Sequence, residues 1–274
     1  MNYQLGLIGY PLGHSLSPKI HAAALSACGL QGRYSLFPIP PEDKQGLKDM
    51  LARVRTGEIT GLNVTIPHKQ NVIELMDELT PTAKAIGAVN TIYMRNGKLV
   101  GDNTDAPGFL ADMKNINKET STQVNKAAVV LGAGGSARAV VYALCNDGWN
   151  VTLAARRIEQ AQQLAESLTN YQLPITNLTN FPLSTFHLLV NTTPLGMTPN
   201  TETSPLPENV ILSKHTFIYD LVYSPRETKL VRGARAQGLN ASTGLGMLIE
   251  QAALAFEKWT GAKADRDAMQ KAVA

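Results

Sequence analysis

The sequence predicts a two-domain α/β protein, with a mixed α/β first domain and a doubly wound, Rossmann-like second domain. The chain has 274 residues, whereas single domains typically contain about 100 to 150. Strand-like and helix-like segments alternate in both halves, which favours parallel sheets. In the second half, a glycine-rich turn joins a very apolar strand to a helix, as doubly wound folds require.

The first hundred residues predict a mixed sheet. Asn96-Gly97 is a strong two-residue hairpin signal between the strand-like segments 91–93 and 99–100, so this sheet ends in an antiparallel excursion. A helix is expected to begin near Pro107. The other predicted strands are residues 5–9, 34–39 and 62–66, and the predicted helices are residues 20–30, 47–54 and 72–79.

A second alternating unit begins after residue 126. The polar stretch 115–126 precedes the very apolar residues 127–131, and this contrast predicts a surface connection that enters a buried central strand. Strands and helices then continue to alternate, so this half also predicts a parallel sheet. Its other strands are predicted at 151–155, 188–191 and 217–221, and its helices at 138–145, 158–168, 227–237 and 247–259.

Composition and charge exclude several classes of protein. Hydrophobic residues make up 44% and charged residues 17%, which is typical of a folded globular enzyme. The formal net charge is only +3, and no Lys/Arg run indicates a nucleic-acid or membrane partner. We expect a cytoplasmic protein, because no apolar stretch approaches the roughly 20 residues of a membrane span and the N-terminus lacks signal-peptide features. Cys28 and Cys145 lie in apolar helix-like runs, which predicts buried thiols without a catalytic or metal role.

The glycine-rich turn is the clearest local motif. It reads Gly132-Ala133-Gly134-Gly135-Ser136-Ala137, directly after a predicted buried strand and at the start of a helix. Gly132 permits the tight turn, Gly134 lets the backbone approach a pyrophosphate, and Ala137 allows close helix-to-strand packing. The motif therefore predicts a dinucleotide site at the helix N-terminus. The alternative is a glycine-rich turn without a ligand.

The end of the next predicted strand indicates which dinucleotide binds. NAD-binding domains usually carry Asp or Glu there, to bind the ribose hydroxyls. This chain instead has Ala155-Arg156-Arg157, and two guanidinium groups suit the 2′-phosphate of NADP because each offers a permanent charge and a planar donor fork. NADP is therefore the expected cofactor. A solvated basic loop is the alternative interpretation.

Polar residues follow several predicted strands of the first domain. Ser15 and Ser17 precede a helix and could donate to an anion, although Ser17 would equally serve as a helix N-cap before Pro18. Lys69 follows a strand end, where it could transfer a proton or be simply solvated. Asp105 closes the hairpin, and its alternative role is that of a turn or helix-start acid.

The chain resembles the shikimate dehydrogenase family over nearly its whole length, through eight motifs in the same order. They are Ser15-Leu16-Ser17-Pro18, Asn63-Val64-Thr65-Ile66-Pro67-His68-Lys69, Gly87-Ala88-Val89-Asn90-Thr91, Gly101-Asp102-Asn103-Thr104-Asp105, Gly132 to Ala137, Asn191-Thr192-Thr193-Pro194-Leu195-Gly196-Met197, Asp220-Leu221-Val222-Tyr223-Ser224-Pro225 and Gly244-Leu245-Gly246-Met247-Leu248. The resemblance implies reversible reduction of 3-dehydroshikimate to shikimate with NADPH, in chorismate and aromatic amino acid biosynthesis. It implies Lys69 and Asp105 as the catalytic pair.

The same resemblance implies the binding residues. The substrate side comprises Ser15 and Ser17 for the carboxylate, with Asn63, Thr65, Asn90, Tyr223 and Gln251. The cofactor side comprises Gly132, Ala133, Gly134, Gly135, Ser136 and Ala137 for the pyrophosphate, Arg156 and Arg157 for the adenosine end, and Thr192, Met197, Leu221, Gly244 and Met247 near the nicotinamide. Ala155 and Gln160 depart from the family, which usually has Asn and Arg there, and this weakens the phosphate site.

The resemblance also implies domain bounds and competing functions. Because the last helix follows the family's substrate-side segment, it should return to the first domain, which then comprises residues 1–105 and 239–274, with 106–238 as the nucleotide domain. The active cleft is expected between them. A quinate/shikimate dehydrogenase with NAD and a non-catalytic dinucleotide-binding regulator are the alternatives. We expect no metal, a small-molecule substrate, and a monomer or homodimer.

Overall fold

The computed structural model describes residues 2–116, 126–178, 186–207 and 210–274. The strands are β1 (Asn2–Gly9), β2 (Gln31–Pro38), β3 (Gly61–Val64), β4 (Glu78–Leu79), β5 (Thr91–Arg95), β6 (Lys98–Asp102), β7 (Ala127–Leu131), β8 (Asn150–Ala155), β9 (Ile175–Asn177), β10 (Leu188–Asn191), β11 (Phe217–Asp220) and β12 (Ala241–Thr243). The helices are α1 (Ser17–Ala27), α2 (Lys44–Arg55), α3 (Pro81–Ile86), α4 (Asp105–Ile116), α5 (Gly135–Asn146), α6 (Ile158–Ser167), α7 (Lys229–Ala236), α8 (Leu245–Thr260) and α9 (Arg266–Lys271).

The chain divides into two compact units. The first comprises Met1–Gly108 and Leu248–Ala274, and the second comprises Phe109–Met247. The C-terminal segment thus belongs to the first unit, and β12 belongs to the second. The domain bounds 1–105 plus 239–274 and 106–238 stay a prediction. β12 pairs in parallel with β11 and extends the second sheet beyond residue 238.

The first unit holds a mixed sheet, as predicted. Its described strands lie in the order β2-β1-β3-β5-β6-β4. β1 is parallel to β2 and β3, whereas β5 runs antiparallel to β3 and β6. The β5–β6 hairpin turns at Asn96 and Gly97, whose φ angles are 52° and 75°. Positive φ at both central residues matches the right-handed twist of the strands, which is why the Asn-Gly pair specifies this turn.

One predicted helix of this unit is wrong. Residues 72–79 form a short 3₁₀ turn at Ile73–Leu75, after which the backbone extends at Met76 and enters β4. β4 pairs with β6 in parallel, so sheet pairing overrides the local apolar pattern. Thr80 then accepts a hydrogen bond from the Ala83 amide and begins α3, which the sequence analysis did not identify.

The core of the first unit lies between its sheet and α2. Alternate strand residues such as Ile8, Leu62 and Ile92 are fully buried, and they pack with Leu51 and Val54 of the helix. The register of the strands is fixed, because a slip by one residue would move these apolar side chains away from the helix that they pack against. The strand ends are therefore held in defined positions.

The second unit is a doubly wound parallel sheet, which confirms the predicted fold class. Its described strands lie in the order β12-β11-β10-β7-β8-β9, and every described pairing is parallel. Counted from β7, this is the Rossmann order: β8 and β9 are added on one side of β7, and β10, β11 and β12 are added on the other. Val130 of β7 lies opposite both Leu153 and Val190, so the central strand is paired on both sides.

Some expectations for the second unit differ from the structure or lie outside it. The short strands β9 and β12 were not identified, because three residues carry too little periodicity. The predicted surface connection 115–126 lies mostly outside the described residues, since 117–125 are not among them.

Cys28 and Cys145 are free thiols but only half-buried, which corrects the expectation of buried ones. In the described part of the chain, no helix is long and apolar enough to cross a membrane.

Candidate active site

Polar residues from four segments meet at one edge of the first sheet. β1, β3 and β6 point the same way, so their carboxyl ends lie at the same edge, and β5 begins there because it runs antiparallel. Most of the predicted substrate and catalytic residues lie at the end of β3, in the segments after these three strands, and just before β5. These residues are Ser15, Ser17, Asn63, Thr65, Lys69, Asn90 and Asp105.

Lys69 and Asp105 form a buried ion pair. Lys69 Nζ lies 2.6 Å from Asp105 Oδ2, and the two side chains are only 11% and 7% exposed. The alternative of a solvated lysine is therefore wrong. Asp105 is the first residue of α4, where its backbone amide and that of Ala106 donate to Asn103 Oδ1. The helix start thus fixes the carboxylate that receives the ammonium group.

Asn90 connects this pair to its surroundings. Its Nδ2 group donates to Asp105 Oδ1 at 2.8 Å and lies 3.2 Å from Gln251 Oε1 of α8. Its Oδ1 accepts from the Thr104 amide at 2.7 Å. The second carboxylate oxygen of Asp105 is thus satisfied, which a buried charge requires. Gln251 joins the cluster because α8 returns to this unit.

Asn63 is the next residue of the same network. Its Nδ2 group donates to the Asn90 carbonyl at 3.1 Å, and its Oδ1 accepts from the hydroxyl of Tyr34 at 2.8 Å. Thr65 is half-buried, and its amide donates to the Ile8 carbonyl, which anchors the segment after β3. Tyr34 was not among the predicted site residues, because a tyrosine within a strand carries no sequence signal for such a role.

Ser15 and Ser17 lie where the chain enters α1. The helix has Leu16 at its N-cap position and no side-chain cap among the described contacts, so the N-cap interpretation of Ser17 is wrong. Instead the Ser17 amide donates to Ser15 Oγ at 3.3 Å, and Ser17 is buried. The hydroxyl of Ser17 therefore makes no cap and can serve another contact.

His68 holds the segment that carries Lys69. Its Nε2 donates to the Ile39 carbonyl at 2.7 Å, and its Nδ1 lies 3.5 Å from the Asn71 amide. The Lys69 carbonyl in turn accepts from the Val89 amide at 2.8 Å. His68 lies within one of the eight motifs, but no role was predicted for it. Its buried position, 1% exposed, shows that it anchors this loop.

In the second unit, the predicted dinucleotide motif lies at the reversal point of the sheet. Gly132 follows β7 with φ of +109°, and a Cβ there would lie 2.7 Å from Thr192 Oγ1. Thr192 follows β10, so the two loops meet between the central strands, where open α/β sheets bind ligands. Gly134 precedes α5, and a Cβ there would meet no described atom within 4 Å. Ala137 is fully buried, as close helix packing requires.

Arg156 and Arg157 follow β8 at the same edge of this sheet. Both are exposed, and within the described residues neither side chain forms an ion pair or a hydrogen bond. Their charges are therefore available to an anion from solution. Arg157 also precedes α6, whose first turn carries Glu159.

A buried carboxylate organises the loops after β10 and β11. Asp220 is fully buried and accepts from Asn191 Nδ2 at 2.8 Å, Thr228 Oγ1 at 2.6 Å and the Val222 amide at 3.1 Å. Burial raises its pKa to about 6, and these three hydrogen bonds oppose the shift. No described cation compensates its charge.

The remaining predicted cofactor-side residues lie on these loops and at the start of α8. Met197 is 40% exposed, whereas Met247 is buried. Gly244 lies close to the Leu221 carbonyl, where no side chain would fit. Tyr223 follows β11 in the second unit, and burial raises the pKa of its hydroxyl. The predicted residues therefore form two groups, one in each unit.

Comparison with known proteins assigns both units. Family models match residues 7–92 as a shikimate dehydrogenase substrate-binding domain, 114–199 as shikimate/quinate 5-dehydrogenase, and 244–274 as a shikimate 5′-dehydrogenase C-terminal domain. A shikimate dehydrogenase (NADP(+)) from Symbiobacterium thermophilum is 41% identical, over 98% of this chain and 92% of the relative.

Solved structures agree with these matches. The Thermus thermophilus shikimate 5-dehydrogenase in complex with NADP(H) and shikimate has a TM-score of 0.87 and 38% identity, over 98% of both chains. A quinate dehydrogenase from Corynebacterium glutamicum in complex with NAD has a TM-score of 0.88 and 31% identity, over 99% of both chains. The fold is thus shared by enzymes with different substrates and cofactors.

The buried Asp220 predicts a pH dependence of stability. The pKa of Asp220 is about 6 in the folded protein, against an ordinary 3.8. The protonated carboxyl therefore contributes its full stabilisation to the free energy of unfolding below pH 3.8, and this stabilisation is lost as the pH rises through 6. Asp220→Asn keeps the shape without the charge. We expect its free energy of unfolding, relative to the unsubstituted protein, to rise by about 2 to 3 kcal/mol between pH 4 and 7, measured by urea denaturation.

A control comes from Asp77, whose exposed carboxylate has its pKa lowered to about 2 by Arg55. The ion pair stops stabilising the folded protein only as the pH falls below 3.8. The difference in free energy of unfolding between Asp77→Asn and the unsubstituted protein should therefore be nearly constant between pH 4 and 7. The same constant difference for Asp220→Asn would contradict the assignment.

Proposed function

Because the chain belongs to the shikimate dehydrogenase family, we propose that it reversibly reduces 3-dehydroshikimate to shikimate with NADPH. This reaction is a step of chorismate and aromatic amino acid biosynthesis. The observation that carries the proposal is the buried pair of Lys69 Nζ and Asp105 Oδ2, 2.6 Å apart. A non-catalytic regulator would have no use for a buried ammonium group, which is costly to desolvate.

The residues of the second unit fit NADP. Open space beside Gly134 allows the pyrophosphate to approach the N-terminus of α5. Arg156 and Arg157 are exposed at the adjacent strand end, where they would pair with the 2′-phosphate. When bound, the nicotinamide supplies or accepts the hydride.

Lys69 supplies the proton in this proposal. During reduction, Lys69 Nζ donates a proton to the oxygen of the forming alcohol, and during oxidation it accepts that proton. Asp105 Oδ2 holds the ammonium group, and Asn90 holds Asp105 in turn through Oδ1. The ammonium is therefore oriented before the substrate binds, which lowers the entropic cost of the transfer.

The other residues of the cluster orient the substrate. Asn63, Thr65, Asn90 and Gln251 carry the amide and hydroxyl groups that recognise ring hydroxyls. Ser15 and Ser17 lie at the entrance to α1 and provide hydroxyls for the carboxylate. Tyr223, which belongs to the second unit, stays a predicted substrate-binding residue. The free thiols Cys28 and Cys145 fit a reducing cytoplasm, where we propose that the enzyme works.

A crossed assay tests the proposed function. Reduction of NADP and of NAD is followed at 340 nm with shikimate and with quinate. We expect shikimate with NADP to give the highest kcat/KM, because the strand end after β8 has two arginines and no acid for the ribose. Higher kcat/KM with quinate and NAD would favour the function of the Corynebacterium relative instead.

Lys69→Ala should lower kcat by about two to four powers of ten, the usual contribution of a positioned acid or base. NADPH binding, measured by fluorescence, should remain, because the cofactor residues belong to the second unit. Lys69→Arg should rescue little, since a guanidinium group does not release its proton near neutral pH. Lys84→Ala is the control, because this lysine lies on α3 outside the cluster.

We expect the Lys69→Ala, Asp105→Asn double variant to lose much less kcat than the product of the two single losses, because the two residues act as one pair. Fully multiplicative losses would show that they act independently.

Arg156→Ala and Arg157→Ala should each raise the KM for NADP much more than that for NAD, because only NADP carries the 2′-phosphate. A loss of about 1.5 to 3 kcal/mol per charged hydrogen bond corresponds to roughly ten- to a hundredfold in KM. Arg53→Ala, on α2 of the first unit, is the control and should change neither constant. Equal increases for both cofactors would refute a phosphate-binding role.

A further inference from the structure

A stacked pair of aromatic residues, His21 and Tyr34, holds Asn63 through a hydrogen bond from the tyrosine hydroxyl. Tyr34 of β2 is 8% exposed, and its hydroxyl donates to Asn63 Oδ1 at 2.8 Å. His21 of α1 is fully buried and stacks on the Tyr34 ring, with centroids 4.3 Å apart and an angle of 2° between the planes. The indole of Trp259 packs against His21 at 5.4 Å. The ring of Tyr34 is thus held in one plane.

The stack places no charge near the catalytic pair. Burial lowers the pKa of His21 to about 3, so its ring is neutral at physiological pH. Neither ring nitrogen has a hydrogen-bond partner among the described residues. His21 therefore acts on Tyr34 through ring packing. The close hydrogen bond from the stack to the site is the one that the Tyr34 hydroxyl donates to Asn63 Oδ1 at 2.8 Å.

That hydroxyl determines what the Asn63 side chain can offer to a ligand. One lone pair of Oδ1 is taken by Tyr34, and one Nδ2 proton is donated to the Asn90 carbonyl at 3.1 Å. The other Nδ2 proton is donated to Thr91 Oγ1 over a longer distance, 3.4 Å. Oδ1 keeps a second lone pair that can accept a hydrogen bond from a ligand. Without the Tyr34 hydroxyl, Oδ1 would lose this close partner, and the amide would be held mainly through Nδ2.

We propose that Tyr34 is a positioning residue that fixes the Asn63 amide for recognition of a ring hydroxyl of the substrate, with His21 holding the tyrosine ring. The inference rests on the proposed function, in which Asn63 contacts the substrate. Tyr34 itself does not touch the reacting atoms, because its hydroxyl is directed at Asn63. Its influence is on substrate affinity and reaches the site through one hydrogen bond.

Tyr34→Phe removes only this hydroxyl. A neutral hydrogen bond contributes about 0.5 to 1.5 kcal/mol, so we expect the KM for shikimate to rise about two- to tenfold. The kcat should change by less than about twofold, because Asn63 would bind the ground state and the transition state alike. The KM for NADP should stay constant, since no cofactor residue is involved.

Tyr3→Phe is the matched control. Tyr3 is also 8% exposed in the same unit, and its hydroxyl donates to the Thr260 carbonyl at 3.5 Å, away from Asn63. Both variants should show a similar small decrease in Tm, but Tyr3→Phe should leave the KM for shikimate unchanged. An equal KM in the two variants would refute the proposal, because a merely structural hydroxyl would account for both.

A double-mutant cycle with Asn63→Ala tests the route. If Tyr34 acts through Asn63, then adding Tyr34→Phe to Asn63→Ala should change the KM for shikimate by less than about twofold. The proposal would be overturned if Tyr34→Phe raised the KM for shikimate as much in the Asn63→Ala variant as in the unsubstituted enzyme. The unsubstituted enzyme is assayed first: absence of shikimate oxidation there would refute the proposed function, whereas an active enzyme with an unaffected Tyr34→Phe variant would refute only the positioning role.

Discussion

The buried ion pair between Lys69 and Asp105 is the interaction on which the first unit's site depends. Two charges in a poorly solvated position are stable only when they are paired and their remaining hydrogen-bonding capacity is satisfied. The surrounding structure meets both requirements, because the start of α4 fixes Asp105 and Asn90 donates to its second oxygen. The loop carrying Lys69 is fixed by His68 and by the backbone bond to Val89.

The same requirement explains why neighbouring residues of the site are amides and hydroxyls. Each can donate and accept at once, so Asn63, Asn90 and Thr104 connect into a network without adding further charge. A network of this kind has one satisfied arrangement, and it therefore holds its members rigidly. Rigid donors and acceptors are what a site for a polyhydroxylated ring needs.

The second unit also contains a buried charged group, but this one has no partner of opposite charge among the described residues. Asp220 is a buried carboxylate that is satisfied by an amide, a hydroxyl and a backbone N–H rather than by a cation. These three partners come from β10, from the start of α7 and from the loop after β11, so one carboxylate connects the loops next to the proposed cofactor site. Its raised pKa is the cost of leaving the charge without a counter-ion.

The fold class, the hairpin at Asn96-Gly97 and the Gly132–Ala137 turn could all be predicted from the sequence. Each depends on local chemistry, namely periodicity, positive φ and the absence of a Cβ, which a linear sequence states directly. The ordered motifs also indicated the family and its reaction. The helix predicted at residues 72–79 was wrong, because the end of this segment pairs with β6, and local periodicity does not encode such a long-range contact.

The contacts between the polar residues could be seen only in the folded protein. The Lys69–Asp105 distance, the exclusion of Ser17 as an N-cap, and the roles of His68 and Tyr34 all depend on contacts between segments 20 or more residues apart or on the actual helix start. A sequence lists the donors and acceptors, but hydrogen bonding is directional and acts over about 3 Å. Only strand order and register bring these particular groups within that distance.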